Sequence, residues 1–164
     1  MTSRGNRLPI LAAVAAVLLV AAVAVGVFTG IRFWNDRQAE QARSASVDAA
    51  RHAVSAMFTY DFNNVDTQLP KAADALTPSF KSDYLKLVDQ AIAPGAKQKQ
   101  LTVQATTQAA GVVSADRSHA VVLLYLNQVT TSKDSPQGTV TPSRVRVSLD
   151  NDGGHWLVGQ VTPI

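Results

Sequence analysis

RVRVSLDNDGGHWLVGQVTPI, residues 144–164, is the stretch whose reading decides the fold. Val145, Val147 and Leu149 alternate with Arg144, Arg146 and Ser148, the two-residue period of a strand with one buried and one wet face. Asn151-Asp152-Gly153-Gly154 supplies residues that tolerate positive φ, and the apolar pattern resumes directly after it. That combination predicts a β-hairpin. In its second arm, His155 to Thr162, Trp156 and Val158 are placed on one face and Leu157 and Val161 on the other.

Working backward, the first arm is predicted over Val140–Asp150, preceded by a polar loop from Ser132 to Gly138. His119 to Thr130 is the most apolar strand. Ala120, Val122, Leu124 and Leu126 alternate with Val121, Leu123, Tyr125 and Asn127, and apolar residues on both faces mark a central strand. Ser114–Arg117 is a turn, and Leu101 to Val113 forms the remaining strand, with Leu101, Val103 and Ala105 on one side.

Ahead of Leu101 the period lengthens to that of a helix. Phe80, Tyr84, Leu87, Val88 and Ala91 share a face, opened by an N-cap at Thr77 with Pro78 behind it and ended by Pro94-Gly95. Val65, Leu69, Ala72, Ala73 and Leu76 predict a shorter helix that Pro70 disturbs. Asn35 to Phe62 reads as one long helix, polar over NDRQAEQARSAS and then striped by Val47, Ala50, Val54, Met57, Phe58 and Asp61. The predicted class is α+β, with about three helices packed on one face of a four-stranded antiparallel sheet.

Between Leu8 and Ile31 no residue is charged. As a helix rising about 1.5 Å per residue, this run reaches roughly 36 Å, enough to span a hydrocarbon core of about 30 Å. The predicted organisation is a cytoplasmic tail at 1–7, a transmembrane helix at 8–31, a helical stalk at 32–46 and an extracytoplasmic domain at 47–164. A cleaved signal peptide ending near Ala22-Val23-Ala24 is the rival reading, but such apolar regions run only about 7–15 residues. Arg4 and Arg7 precede the helix while Arg32, Arg37 and Arg43 follow it, so basic residues alone do not orient it. The acid-free tail, and the ease with which long domains translocate, favour a cytoplasmic N-terminus in the inner membrane. Ala22, Gly26 and Gly30 lie on one face of this helix and would admit a second membrane helix at close approach.

The chain carries 15 Lys and Arg against 12 Asp and Glu, and the excess flanks the apolar run. From Asn35 onward the two signs balance at 12 each, so the domain has no net basic charge with which to hold nucleic acid. With 0 Cys there is no disulfide, thiol nucleophile or cysteine metal site. His52, His119 and His155 are too scattered for metal-ligand spacing, and no glycine-rich loop follows a strand in the manner of a phosphate site. No cofactor is expected.

Three segments carry a family resemblance. A short tail, one membrane helix and a polar stalk come first; DAARHAVSAMFTYDFNNVD at 48–66 and LTPSFKSDYLKLVD at 76–89 follow; the hairpin at 144–164 closes the chain. In this order they resemble the Mce-associated membrane proteins of actinobacteria, named for the mammalian-cell-entry loci they accompany. The resemblance implies a cone-shaped, nuclear-transport-factor-2-like (NTF2-like) domain. It also implies an accessory role in an Mce-type lipid-import complex of the envelope, with the lipid bilayer and Mce-complex or related envelope proteins as partners. A homo-oligomer stays open. A VirB8-like scaffold of a type IV secretion system shares the same plan, and an envelope lipid-binding or isomerase-like cone is a further alternative.

Within such a cone, Tyr60-Asp61-Phe62 would end the first helix, its rings covering the mouth and Asp61 bonding to local backbone. Arg144 and Arg146 on the outer face, and Trp156 on the last strand, are candidate partner surface. An isomerase-like site would need two of His52, Asp61, Asp66, Tyr84, His119 and Tyr125 to converge as base and donor. Nothing in their spacing brings two together, so the expectation is a non-enzymatic protein with no catalytic residues.

Overall fold

The structure, a computed structural model, describes residues 26–27 and 38–164. The chain divides into two units, Met1–Gln38 and Ala39–Ile164. Of the first, Gly26 and Val27 are helical and exposed. The rest of the expected span at 8–31, with its orientation and with Ala22 and Gly30, lies outside the described residues. Among the described residues, no helix is long and apolar enough to cross a membrane.

In the second unit, helix α1 covers 39–58. Ala50, Ala53, Val54 and Met57 are buried along one stripe. Ala42 and Ser46, within the expected stalk at 32–46, are buried as well. The helix stops at residue 58, short of the expected Phe62. Tyr60–Asp61 instead forms a short strand, β1, adding a fifth member to the sheet. Its rungs are Tyr60 opposite Val103 and Asp61 opposite Thr102.

Helix α2 (Val65–Ala72) runs through Pro70 and tightens into a 3₁₀ turn at Ala73–Ala75. Helix α3 (Pro78–Leu87) starts where the sequence predicts, with the Thr77 hydroxyl accepting from Phe80 N at 3.4 Å. Pro94-Gly95 does not end this helical stretch. A π turn over Val88–Ile92 widens the helix ahead of Pro94, whose ring would otherwise meet the carbonyl one turn back, and α4 (Ala93–Lys99) continues to Gln100 at φ 51°.

The sheet is antiparallel in the order β1-β2-β3-β4-β5, with β2 at Thr102–Ala115, β3 at His119–Ser132, β4 at Ser135–Asp152 and β5 at His155–Pro163. β3 is central, as its two apolar faces require. Irregularities between Thr107 and Ala109 and between Val112 and Ser114 bend β2, so the sheet curls around its helices. Leu69, Val122, Leu124, Leu126, Val147, Leu149 and Val158 are at most 1% exposed and form the centre of one core. Thr77 N donates to the Val158 carbonyl at 2.9 Å, tying the α2–α3 connection to the free edge of β5.

Two sheet expectations need correction. The polar loop at 132–138 is a tight turn at Lys133-Asp134, and β4 already runs from Ser135. β5 pairs with β4 only from Val145 to Asp152, so Pro136 and Pro142 lie where the other edge of β4 is unpaired and a missing N–H leaves no rung open. In β5, an irregularity sets Val158 opposite Leu149 but Gln160 opposite Ser148, leaving Gly159 over. The extra residue reverses the alternation, and Val161 joins Trp156 and Val158 on the core side rather than Leu157 on the other.

Candidate functional site

The concave side of the sheet is not filled to its end. Beyond Leu124 and Leu126, β3 keeps the same parity at Gln128 and Thr130, where inward positions turn polar. They border a pocket of about 540 Å³. α1 contributes Met57 and Phe58, β1 contributes Tyr60, and α3 contributes Phe80, Asp83, Tyr84 and Leu87. The three apolar members of α3 fall on one helix face by their three- and four-residue steps. Ile92, Leu101, Val103, Val161 and Pro163 complete the wall. This volume lies within the roughly 300–1,000 Å³ of small-molecule sites.

Tyr84 is buried, and its Oη donates to the Met57 carbonyl at 3.1 Å, tying α3 to the end of α1. Burial, with Tyr60 nearby as a lesser cause, holds its phenol protonated far above the ordinary tyrosine range. Tyr60 is half-buried, and burial raises its phenol too. Both hydroxyls are therefore neutral at physiological pH.

Asp61 points away from Tyr60 by strand alternation and does not line the pocket. Its carboxylate accepts from Thr102 Oγ1 at 2.6 Å, from Asn63 N at 2.9 Å and from Asn63 Nδ2 at 2.8 Å. These bonds, that from Thr102 foremost, hold it below the usual carboxylate range, which is the wrong direction for a base poised near neutrality. Phe62 packs against the core.

The remaining candidates are dispersed. Arg144 and Arg146 are exposed on the outer face of β4, opposite Tyr125 and Leu123, with the Arg144 guanidinium 5.9 Å from the Tyr125 ring centre. Trp156 is half-buried beside the β4–β5 turn, opposite Asn151, and outside the pocket. His52 is exposed with Nδ1 2.9 Å from the Asp48 carbonyl, and Asp66 pairs with Lys97. His119 is exposed between Asp116 and Asp150, at 3.9 and 3.6 Å. Of the six groups considered for proton transfer, Tyr84 alone lines the pocket.

Of the residues expected at the mouth, Tyr60 lines the pocket and Phe62 packs against the core; Arg144, Arg146 and Trp156, expected as partner surface, lie outside the pocket. Phe80, Asp83, Leu87, Gln128 and Thr130 were missed as pocket residues. The available signal was the run of polar side chains at inward-parity positions of β3.

Residues 8–163 match the protein family described as Uncharacterized protein Rv1363c/MT1408-like. Over 147 residues the chain is 41% identical to Outer membrane protein Rv1973 of Mycobacterium tuberculosis strain H37Rv, covering 87% of this chain and 91% of that protein. The periplasmic domain of DotI is similar in structure, with a TM-score of 0.63 and 19% identity over 74% of this chain and 94% of that one. CagV, a VirB8 homologue of the type IV secretion system of Helicobacter pylori, gives 0.58 and 12% identity over 73% and 96%. At such identities the likeness to these two is one of fold, the NTF2-like fold of VirB8-type domains.

Proposed function

The chain belongs to the Rv1363c/MT1408-like family, and from that premise we propose that it is a non-enzymatic accessory protein of the cell envelope that works by binding other envelope proteins. One observation carries this reading. An uncharged run from Leu8 to Ile31 directly precedes a charge-balanced domain with the fold of periplasmic secretion-system domains. The name of the mycobacterial relative, an outer membrane protein, supports an envelope location.

In the finer form of the proposal, Leu8–Ile31 is a retained single-pass anchor in the inner membrane, the domain is extracytoplasmic, and the partners belong to an Mce-type lipid-import complex. That partnership rests on the resemblance of residues 48–66, 76–89 and 144–164. The likeness to DotI and CagV favours a second reading, a VirB8-like scaffold of a secretion apparatus. The non-enzymatic reading is supported by Asp61, whose carboxylate is engaged by Thr102 and Asn63 outside the pocket.

The test is a mild-detergent pull-down of the tagged full-length chain from native membranes, with co-purifying chains identified by mass spectrometry. Recovery of Mce substrate-binding or permease subunits supports the first reading, and recovery of secretion-apparatus subunits the second. Recovery of neither, with the bait intact and abundant, counts against a partner-binding role. Protease applied to intact spheroplasts should digest the domain; full protection would overturn the extracytoplasmic placement.

A further inference from the structure

We propose that the pocket bordered by Tyr60, Phe80, Asp83, Leu87, Gln128 and Thr130 binds a neutral, largely apolar small molecule by one hydroxyl or ester carbonyl, and rejects the matching carboxylate. The walls are aliphatic and aromatic, and burying an apolar body against them is favourable.

Apart from Asp83, the polar groups are few and neutral. Tyr60 lines the pocket, half-buried, and its neutral hydroxyl can donate. Gln128 uses Nε2 on Ser143 Oγ at 3.3 Å, leaving its side-chain carbonyl as an acceptor, and Thr130 adds a hydroxyl. Tyr84 is already committed to the Met57 carbonyl. A ligand hydroxyl can both accept from Tyr60 and donate to Gln128, and an ester carbonyl can accept from Tyr60.

Charge decides the class. No Lys, Arg or His is among the residues lining the pocket, and the one charged side chain there is Asp83. Its partner Lys86 stands 3.4 Å away, with both side chains more than 60% exposed, so the pair is a weak surface one. A carboxylate or phosphate entering the pocket would lose its hydration without gaining a cation, and would face the charge of Asp83. A neutral headgroup meets neither cost. Occupancy of this pocket is separable from the choice of protein partner.

The test uses the full-length chain in phosphatidylcholine proteoliposomes. The probes are a diazirine-bearing C18 alcohol and the fatty acid of the same chain, at pH 8. On irradiation the alcohol should label peptides from α3 and the start of β2. Asp83→Asn should raise acid labelling relative to alcohol labelling about fivefold, the factor one unit charge a few ångström away exerts in water. Leu87→Trp, at a position 53% exposed and so tolerant of a larger ring, should block both probes without shifting the melting temperature. Tyr60→Phe should weaken alcohol labelling. Labelling confined to other segments, or undiminished in Leu87→Trp, would overturn the site. Acid labelling equal to alcohol labelling and indifferent to Asp83→Asn would overturn the charge selection.

Discussion

Asp61, weighed in sequence both as a local backbone acceptor and as a proton-transfer group, is held by local bonds. It sits beside two aromatic residues at the end of a helical stripe, yet its carboxylate closes the turn into α2 and clamps β1 to β2 through Thr102. Because these bonds lower its pKa in the folded chain, the stability it contributes is present above the ordinary value of about 3.9. It is lost as pH falls through the lower folded value. Asp74, held by Lys81, and Asp116, held by the backbone of Ser118 and His119, act in the same direction. Urea midpoints measured from pH 5 down to pH 2 should therefore fall, and fall less steeply in Asp61→Asn. Parallel curves for the two proteins would show that Asp61 is not one of the groups responsible. Tyr84 has the opposite sign. Burial raises its pKa, so its contribution holds below about 10 and is lost as pH rises beyond. Tyr84→Phe removes the bond to the Met57 carbonyl and should cost about 1 kcal/mol at pH 7, while flattening the decline above pH 10. Denaturant unfolding at the two pH values checks both halves.

The β4–β5 hairpin shows what a local pattern can and cannot specify. Gly153 and Gly154 have φ of 58° and 97°, the positive pair of a two-residue hairpin turn, and Asn151 Oδ1 accepts from Gly154 N at 2.9 Å. The two glycines are not equivalent. An asparagine adopts φ near 58° readily, whereas 97° lies beyond the left-handed region open to side chains. Gly153→Asn should thus be near neutral, and Gly154→Ala should cost about 1 kcal/mol although its Cβ would meet nothing within 4 Å. Thermal unfolding of the two variants decides this, and equal losses would contradict it. The turn was legible because its chemistry is local. The reversal at Gly159 was not, because a bulge is fixed by register against β4, and nothing in GQV reveals that an extra residue must be absorbed. The same holds at Tyr60–Asp61, where pairing with Val103 and Thr102, 41 residues or more downstream, overrides the helical period. Pro94 misled for a related reason. Proline signals a break only where its missing N–H has a partner to lose, and that depends on which edge or turn it occupies.

At the scale of the whole molecule, the α+β order and the central place of β3 followed from composition and period, while the pocket did not. A cavity exists where packing stops, and the sequence marks the place only by Gln128 and Thr130 standing in the inward row after Leu126. The core itself is contained within Ala39–Ile164, from Ala50 on α1 to Val158 on β5, and among the described residues no buried side-chain nitrogen or oxygen lacks a partner. A chain beginning at Ala39 should accordingly unfold cooperatively, with a melting temperature within about 4 °C of the full-length protein, the shift that about 1 kcal/mol produces in a domain of this size. If Leu8–Ile31 spans the bilayer, the two forms must part company elsewhere. The full-length chain should stay with membranes through alkaline carbonate extraction, because about 20 apolar residues suffice for insertion, while the shortened chain appears in the soluble fraction. A shortened chain that still sediments with membranes would assign attachment to the domain's own surface. A full-length chain released by carbonate would remove the anchor from the proposed function and leave the domain to reach its partners unaided.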